Sequence, residues 1–482
     1  MRKLVLALVL PTLSACAVGP DYKRPSTVVD PPAGSTDAQL SNSFKEAQSG
    51  GWKIAEPSDT TQRGDWWRVF GDEQLDALQT QLIAANQNVA AAEARYRQAR
   101  ASAQAARAGF FPDLTLSAAS TRGKTSSSQQ LTLSSSVVTQ DTATLDASWE
   151  LDVWGRIRRE VEAGEASAQA SSADFAAALL SAQAELAQNY FLLRVTDAQR
   201  ALLDRTVADY EKSLQLTQNQ YNVGVASRAD VTQAQAQLKA AQAQAVDIDI
   251  TRAQLEHAVA ILVGKAPAEL TIAVKDFKTA LPDIPLSLPS TLLERRPDIA
   301  AAERRVVAAN AQVGVARAAY FPQLTLSASG GYRSNSFSDW FTAPNRFWSI
   351  GPALSLPLFD AGLRSAQNKQ AIAAYDETVA NYRQTVLGSL QEVEDNLVAL
   401  NRLAQEVRFQ QEAVAASQEA LRLVNNQYKA GTVSFLNVLT AETTAFTNER
   451  NLLQAQGRQF TASVLLIKAL GGGWGGSLAQ TE

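Results

Sequence analysis

The chain of 482 residues carries a formal net charge of −4, and 46% of its residues are hydrophobic. This length accommodates two or three domains or one elongated body, and the nearly balanced charge gives no indication of a nucleic-acid partner. Cys16 is the single cysteine. It has no partner for an intramolecular disulfide, and a metal cluster built on cysteines is excluded.

The first residues have the pattern of a secretory leader. Arg2 and Lys3 precede an apolar run from Leu4 to Leu10, and Leu13-Ser14-Ala15-Cys16 follows shortly after it. The run is too short to span a bilayer, and small residues stand at the expected cleavage point, so residues 1–15 are predicted to be a signal peptide. The Leu-Ser-Ala-Cys motif resembles a bacterial lipobox, which predicts lipidation of Cys16.

Lipidation of Cys16 would tie the mature chain to a membrane, stably if two or more acyl chains are attached. The next residue is Ala17 and not an aspartate resembling an inner-membrane retention signal, which favours sorting to the outer membrane. The alternative is an incidental cysteine inside a discarded leader. Residues 16–71 are predicted to be an extended, lipid-anchored segment. Because no later apolar run is long enough for a transmembrane helix, a mature chain that crosses a membrane must do so as a barrel.

An internal duplication organises the rest of the chain. The segment from Ala92-Glu93 to Phe111-Pro112-Asp113-Leu114-Thr115-Leu116-Ser117-Ala118 recurs as Ala302-Glu303 to Phe321-Pro322-Gln323-Leu324-Thr325-Leu326-Ser327-Ala328. The predicted divisions are a first structural repeat at 72–266 (helix, two strands, helical hairpin), a connector at 267–296, a second structural repeat at 297–471 and a flexible tail at 472–482.

Each repeat is predicted to contain one very long helix. No proline lies between Pro112 and Pro267 or after Pro357, so these spans can hold uninterrupted helices. Residues 156–222 and 363–429 are rich in good helix formers, and their apolar residues recur at helical spacing. Each stretch predicts a helix of about 65 residues, roughly 100 Å long at a rise of 1.5 Å per residue.

Both helical patterns break at a glycine, Gly224 in the first half and Gly431 in the second, as is typical just past a helix end. A polar residue, Ser227 or Ser434, follows before the helical pattern resumes. The breaks therefore predict the tips of two helical hairpins. Abundant alanines predict thin, closely packed helices, as in a tunnel wall; a plain solvent-exposed coiled coil is the alternative.

After each Phe-Pro landmark the apolar period changes from helical to two, which predicts strands. In the first half the apolar positions alternate with polar ones that include three acids, Asp146, Glu150 and Asp152. The corresponding strand of the second half, from Trp348 to Leu358, has no acid on its polar face. Two further strands are predicted to begin at the Phe-Pro landmarks. The three acids are expected to line a wet lumen.

Four strands are too few for a closed barrel within one chain, because single-chain membrane barrels need at least eight. Two copies would give eight strands with a filled interior, whereas three give twelve. Trp340, Phe341, Phe347 and Trp348 fit an aromatic girdle at the membrane interface, which favours a membrane sheet. The alternative is a soluble four-stranded sheet that caps a helical bundle.

These patterns resemble the TolC-like outer-membrane factors of bacterial tripartite efflux systems, and among them the lipoprotein branch. The most specific segments are Asp65-Trp66-Trp67 with Phe70-Gly71-Asp72 and Leu75, Leu293-Glu294-Arg295-Arg296-Pro297-Asp298-Ile299 with Ala302-Glu303, and the paired Phe-Pro landmarks. The similarity covers nearly the whole mature chain. It implies a mixed α and β membrane protein, a homotrimer whose twelve-stranded β-barrel continues into a long periplasmic α-helical barrel.

The resemblance also implies a function and partners. The protein would be the passive exit duct for drugs or other small molecules, lipid-anchored in the outer membrane and extending into the periplasm. Its partners would be a periplasmic adaptor protein and, through it, an inner-membrane pump. The expected adaptor-docking tips are Val223, Gly224, Val225, Ala430, Gly431 and Thr432, and the expected lumen or gate residues are Asp146, Glu150, Asp152 and Asp230.

The second tip departs from the acidic pattern of some family members. Asn437 and Thr440 stand where those members narrow the channel with acids, and Asp230, after the first tip, is the nearest acid.

No catalytic or cofactor-binding pattern accompanies these features. His257, the single histidine, lies in a helical stretch without a cysteine partner, whereas zinc sites need three or four ligands. Neither a phosphate-binding glycine loop nor a nucleophile elbow occurs. No enzyme activity, metal or cofactor is predicted. The competing function is a lipoprotein scaffold whose hairpins span the periplasm without a pore.

The lipobox assignment predicts that Cys16→Ser abolishes lipid attachment. Because the strands are untouched, sorting should weaken while some trimer still reaches the outer membrane. Metabolic labelling with palmitate measures attachment directly, and label retained on the variant would refute the assignment.

Overall fold

The computed structural model describes residues 18–26, 64–124, 137–275, 281–282 and 295–472. Cys16, the leader and the predicted tail beyond 472 lie outside these residues. The chain forms two compact units. The first comprises Met1–Pro25, Arg95–Ser172 and Ala301–Arg383, and the second comprises Ser26–Ala94, Ala173–Ala300 and Gln384–Glu482. Each unit therefore combines segments from both halves of the chain.

The described residues form seven α-helices and four strands, in an order that is largely repeated. The first half contains α1 (Glu73–Ala85), α2 (Gln87–Ala108), β1 (Asp113–Lys124), β2 (Val137–Glu150), α3 (Arg156–Asn222) and α4 (Arg228–Leu262). The second contains α5 (Pro297–Ala318), β3 (Gln323–Ser334), β4 (Arg346–Ser355), α6 (Leu363–Lys429) and α7 (Phe435–Ala469). Both α3 and α6 have 67 residues, and both α4 and α7 have 35, so the predicted bounds of the long helices are confirmed.

No helix among those described combines the length and the apolar character needed to cross a bilayer.

The sheet of the first unit is antiparallel, in the order β1-β2-β3-β4. One cross-strand row joins Thr115, Asp146, Ser329 and Ser349, and the next joins Leu116, Leu145, Gly330 and Trp348. Because opposite residues in such a register point to the same face, the predicted separation into a polar and an apolar face is confirmed. Within the described chain, β1 and β4 each pair along one side only.

Aromatic packing forms the core of the second unit. Phe191 lies between Phe70 and Phe460, with ring centroids 4.8 Å and 4.9 Å away. Trp66 joins the same core, and its indole N–H donates to Gln183 Oε1 at 3.2 Å. The Trp-Trp motif thus anchors the start of the described helical region, and each large side chain buried there contributes about 1.5 to 3 kcal/mol. The core also includes Leu75, Leu82, Leu186, Leu193, Val259 and Ile467.

A buried charge network adjoins this core. Arg194, with its side chain only 2% exposed, pairs with Asp197 at 3.0 Å and lies over the Tyr190 ring. The Tyr190 hydroxyl donates to Asp72 at 2.7 Å, and Asp72 also accepts from the backbone at the start of α1. Burial is the main cause that raises the pKa of Tyr190, which keeps this hydroxyl a donor. A buried charge is tolerated here because its hydrogen bonds are made.

Residues 18–25 contact other parts of the first unit without forming a helix or strand. The Val18 amide donates to the carbonyl of Trp154 at 3.0 Å. Tyr22 Oη donates to Glu303 at 3.2 Å, and Arg24 pairs with the same carboxylate at 3.2 Å. The Ala302-Glu303 landmark therefore binds the N-terminal segment.

Leu186→Ala should destabilise the protein by about 2 to 5 kcal/mol, because it leaves a cavity in a fully buried core. Leu192→Ala, on the same helix but 37% exposed, is the matched control and should cost less than about 1 kcal/mol. Thermal unfolding followed by circular dichroism compares the two. Equal losses of stability would contradict this description of the core.

Candidate functional site

The hairpin tips have the backbone conformation that the sequence predicts. Gly224 has φ +80° and Gly431 has φ +72°, both in the left-handed region that glycine adopts without strain. Backbone bonds close each turn: Val225 N donates to Gln220 O at 2.8 Å, and the equivalent bond is made by Thr432 N. A Cβ atom added at either glycine would meet no atom of the described residues within 4 Å. The tips are thus tightly turned but open to contact.

Exposed apolar side chains flank the first turn. Val223 is 74% exposed and Val225 is 72% exposed, while Ala430, Gly431 and Thr432 are exposed at the second turn. Such side chains gain free energy when a partner covers them. Their docking role remains a prediction.

Asp230 has a local structural role beside the first tip. Its carboxylate accepts from the backbone amide of Ser227 at 2.9 Å, and Ser227 Oγ accepts from the Asp230 amide at 3.2 Å. This reciprocal capping box satisfies two amide groups at the start of α4. The gate role of Asp230 stays a prediction, and helix capping is what its geometry provides.

The three predicted lumen acids have different environments. Asp146 lies within β2 on the polar face, and among the described residues its carboxylate makes no hydrogen bond or ion pair. Glu150, the last residue of β2, forms a bidentate pair with Arg156, with both distances 2.8 Å. Gln323 donates to the same carboxylate at 2.7 Å. Asp146 is therefore the acid with an uncompensated charge.

The placement of Asp152 on the strand is wrong. β2 ends at Glu150, and the Asp152 carboxylate accepts from the backbone amides of Ile157 and Arg158, both at 2.9 Å. Arg158 also pairs with it through its side chain at 3.2 Å. A carboxylate that accepts hydrogen bonds from the free backbone amides at a helix start stabilises that helix. Asp152 therefore caps the start of α3. In the sequence, the alternation of polar and apolar residues continues past the end of β2. A polar residue that caps the next helix, such as Asp152, cannot be distinguished in this pattern from a polar residue of the strand.

Sequence analysis missed the basic partners of these acids. Arg156 and Arg158 stand in the first turn of α3, and Arg364 does so in α6, where it pairs with Asp360. The Arg364 hydrogen bond is the main cause that lowers the pKa of Asp360. An acid a few residues before an arginine, at the start of a predicted helix, is the signal that finds such pairs.

His257 is exposed on α4, as expected for a helix-surface residue. Within residues 18–26, 64–124, 137–275, 281–282 and 295–472, no group of three or more potential metal-binding side chains occurs.

The sequence matches the family model "Outer membrane efflux protein" over residues 78–265 and 288–472. The chain belongs to the outer membrane efflux protein family. It is 32% identical to the pyoverdine export outer membrane protein OpmQ of Pseudomonas aeruginosa over 447 residues, which cover 92% of this chain and 94% of the relative. It is 30% identical to the probable efflux pump outer membrane protein TtgC of Pseudomonas putida over 478 residues, covering 98% and 96%.

Solved structures agree with this assignment. The outer-membrane channel OprN superposes with a TM-score of 0.83 at 31% identity, covering 95% of this chain and 100% of that one. VceC of Vibrio cholerae superposes with a TM-score of 0.79 at 32% identity, covering 87% and 100%. These neighbours are trimeric channels in which a β-barrel is joined to a long helical barrel, so the predicted fold class is confirmed.

The predicted function is confirmed at the level of the family. This chain is the outer-membrane channel component of a tripartite efflux system, a passive exit duct located in the outer membrane. The scaffold alternative is not favoured, because both the relatives and the structural neighbours are efflux channels. The family is one of channels and not of enzymes.

Proposed function

We propose that β4 of each copy pairs with β1 of the next copy in the trimeric barrel, with the polar face of the sheet lining the passage. The observation that carries this proposal is that, among the described residues, the four-stranded sheet has one unpaired side at β1 and one at β4. A strand edge left unpaired in lipid is unfavourable, and four strands cannot close alone. Pairing of β4 with β1 of the next copy satisfies both edges.

The exposure of the sheet supports this orientation. Leu116 and Trp348 are each 76% exposed on the apolar face, where lipid would cover them. The row of Thr115, Asp146 and Ser329 lies on the opposite face. Water in the lumen would solvate these polar groups.

The tips dock a periplasmic adaptor protein and, through it, connect to an inner-membrane pump. Exposed valines beside a tight glycine turn provide a small apolar surface whose backbone is accessible. A partner can therefore approach the turn closely without displacing side chains.

Acylated Cys16 anchors the chain to the outer membrane. Val18, two positions later, binds the carbonyl of Trp154, shortly after the end of β2. Contacts of residues 18–25 within the first unit support an anchor that precedes an ordered segment.

The cargo is a small molecule, and the choice of cargo lies with the inner-membrane pump. Relatives carry names that refer to pyoverdine, toluene, antibiotics and cations. Such diversity among similar chains supports a wide duct without a specific pocket.

Gly431→Val and Gly224→Val should each lower crosslinking to the adaptor and drug resistance at unchanged trimer abundance. A β-branched residue is strained at positive φ, which distorts the turn. Gly388→Val is the matched control, because Gly388 lies within α6 and also has open space around it. Normal crosslinking of the tip variants at equal abundance would refute the docking role.

Asp146→Asn should reduce the cation preference of the channel, measured as the reversal potential in a salt gradient across a planar bilayer. Three unpaired carboxylates would line one lumen, and their effect should be largest at low ionic strength. Glu150→Gln combined with Arg156→Gln is the control and should change selectivity less, because removing both members of this ion pair leaves the net charge unchanged. Equal shifts of the reversal potential in the two variants would contradict the distinction between Asp146 and Glu150. Absence of conductance in the unmodified protein would support the non-pore scaffold.

A further inference from the structure

One buried carboxyl group joins the two helical hairpins. Glu442 lies on α7 of the second hairpin and is 8% exposed. Its Oε1 accepts from Ser213 Oγ, on α3 of the first hairpin, at 2.7 Å. Its Oε2 is inaccessible to solvent and has no hydrogen-bond partner among the described residues. A charged carboxylate is costly in this position, because half of it is neither solvated nor paired.

Glu442 also lines a cavity of about 420 Å³ between the hairpins. The ionisable groups that line it with Glu442 are Arg205, Asp209, Tyr210 and Lys212 from α3, Lys429 from α6 and Glu449 from α7. Among the described residues, α4 contributes none to this lining. Two of the cations are engaged with other acids: Lys212 pairs with Asp209 at 3.1 Å, and Arg205 lies 3.7 Å from Glu449. The cavity has room for water.

The surroundings favour the uncharged form. Burial raises the pKa of Glu442, the hydrogen bond from Ser213 lowers it, and the negative charge of Asp209 raises it again, with a net upward direction. For an acid whose folded-state pKa is raised, the stabilising contribution is complete below its ordinary pKa and is lost as the pH rises through the raised value. The contact between α3 and α7 is therefore weakest when Glu442 is charged.

We propose that Glu442 is a proton-dependent latch between the two hairpins. When uncharged, it keeps α3 and α7 in contact beside Ser213. When its proton passes to solvent, the carboxylate draws water into the adjoining cavity, and the second tip moves away from the first. This inference rests on the proposed function, in which the tips dock the periplasmic adaptor protein of the efflux duct.

The test measures the separation of the tips in the full chain as a function of pH. Val225→Cys and Thr432→Cys place one spin label on each exposed tip, and an excess of unlabelled chain makes most labelled pairs intramolecular. A sample without the tip cysteines identifies any label on Cys16. Pulsed electron paramagnetic resonance should show the distance increasing as the pH is raised above the ordinary range of a glutamate pKa, where Glu442 loses its proton.

Glu442→Gln should keep the short distance at every pH, because the amide cannot ionise. Glu419→Gln is the matched control: Glu419 is an exposed acid on α6, paired with Arg422, and its removal should leave the pH dependence intact. Ser213→Ala should move the midpoint to higher pH, and Asp209→Asn should move it to lower pH.

A constant distance in the unmodified protein would overturn the latch, and so would an unchanged pH response in Glu442→Gln. A purely structural role for Glu442 would leave the midpoint unmoved in the Ser213 and Asp209 variants. Conductance measured on the same preparations distinguishes failure of the latch from failure of the proposed function. A protein that forms no duct would conduct in none of the variants, whether or not its tips move.

Discussion

Unpaired backbone groups along β1 and β4 are the constraint on which the proposed assembly depends. Within the described chain each of these strands has one neighbour, and lipid supplies no hydrogen bonds to the free side. The same register that leaves the edges open aligns Leu116, Leu145 and Trp348 on one face and Thr115, Asp146 and Ser329 on the other. Pairing of β4 with β1 of the next copy would therefore satisfy the backbone hydrogen bonds of both edge strands. The same arrangement would place the apolar face against lipid and the polar face against water.

Several buried or helix-terminal charges have defined partners. Arg194 binds Asp197 and Tyr190 in the core of the second unit, and Asp152 binds the amides at the start of α3. Networks of this kind favour a single arrangement, because breaking one contact leaves a desolvated charge. In Glu442, by contrast, one buried carboxylate oxygen has no hydrogen-bond partner in the part of the chain that the structure describes. An incompletely satisfied carboxyl is a natural place for two states of similar free energy.

Function in this family depends on a passage and not on a reactive group. Relatives with different cargo names match this chain in sequence over almost their whole length. The important residues are therefore those that pack between helices or strands, form the turn of a hairpin or place a charge on the surface of the passage. Each of these roles needs only a residue of the right type, such as a small, apolar or charged residue, at the correct position. This explains how chains about 30% identical retain one architecture.

The sequence by itself determined the features that depend on local spacing. The helical spacing of apolar residues in segments without proline located α3 and α6. A glycine marked each hairpin tip, and the alternation of polar and apolar residues assigned the two faces of β2. Each of these features involves residues that are close together in the chain. Only the tertiary structure decided which acids are free. Arg156 compensates Glu150, Asp152 leaves the strand to cap a helix, and Glu442 is buried against Ser213 of another hairpin. The charge of a carboxyl depends on the groups that surround it in space, and these come from segments that no local pattern brings together.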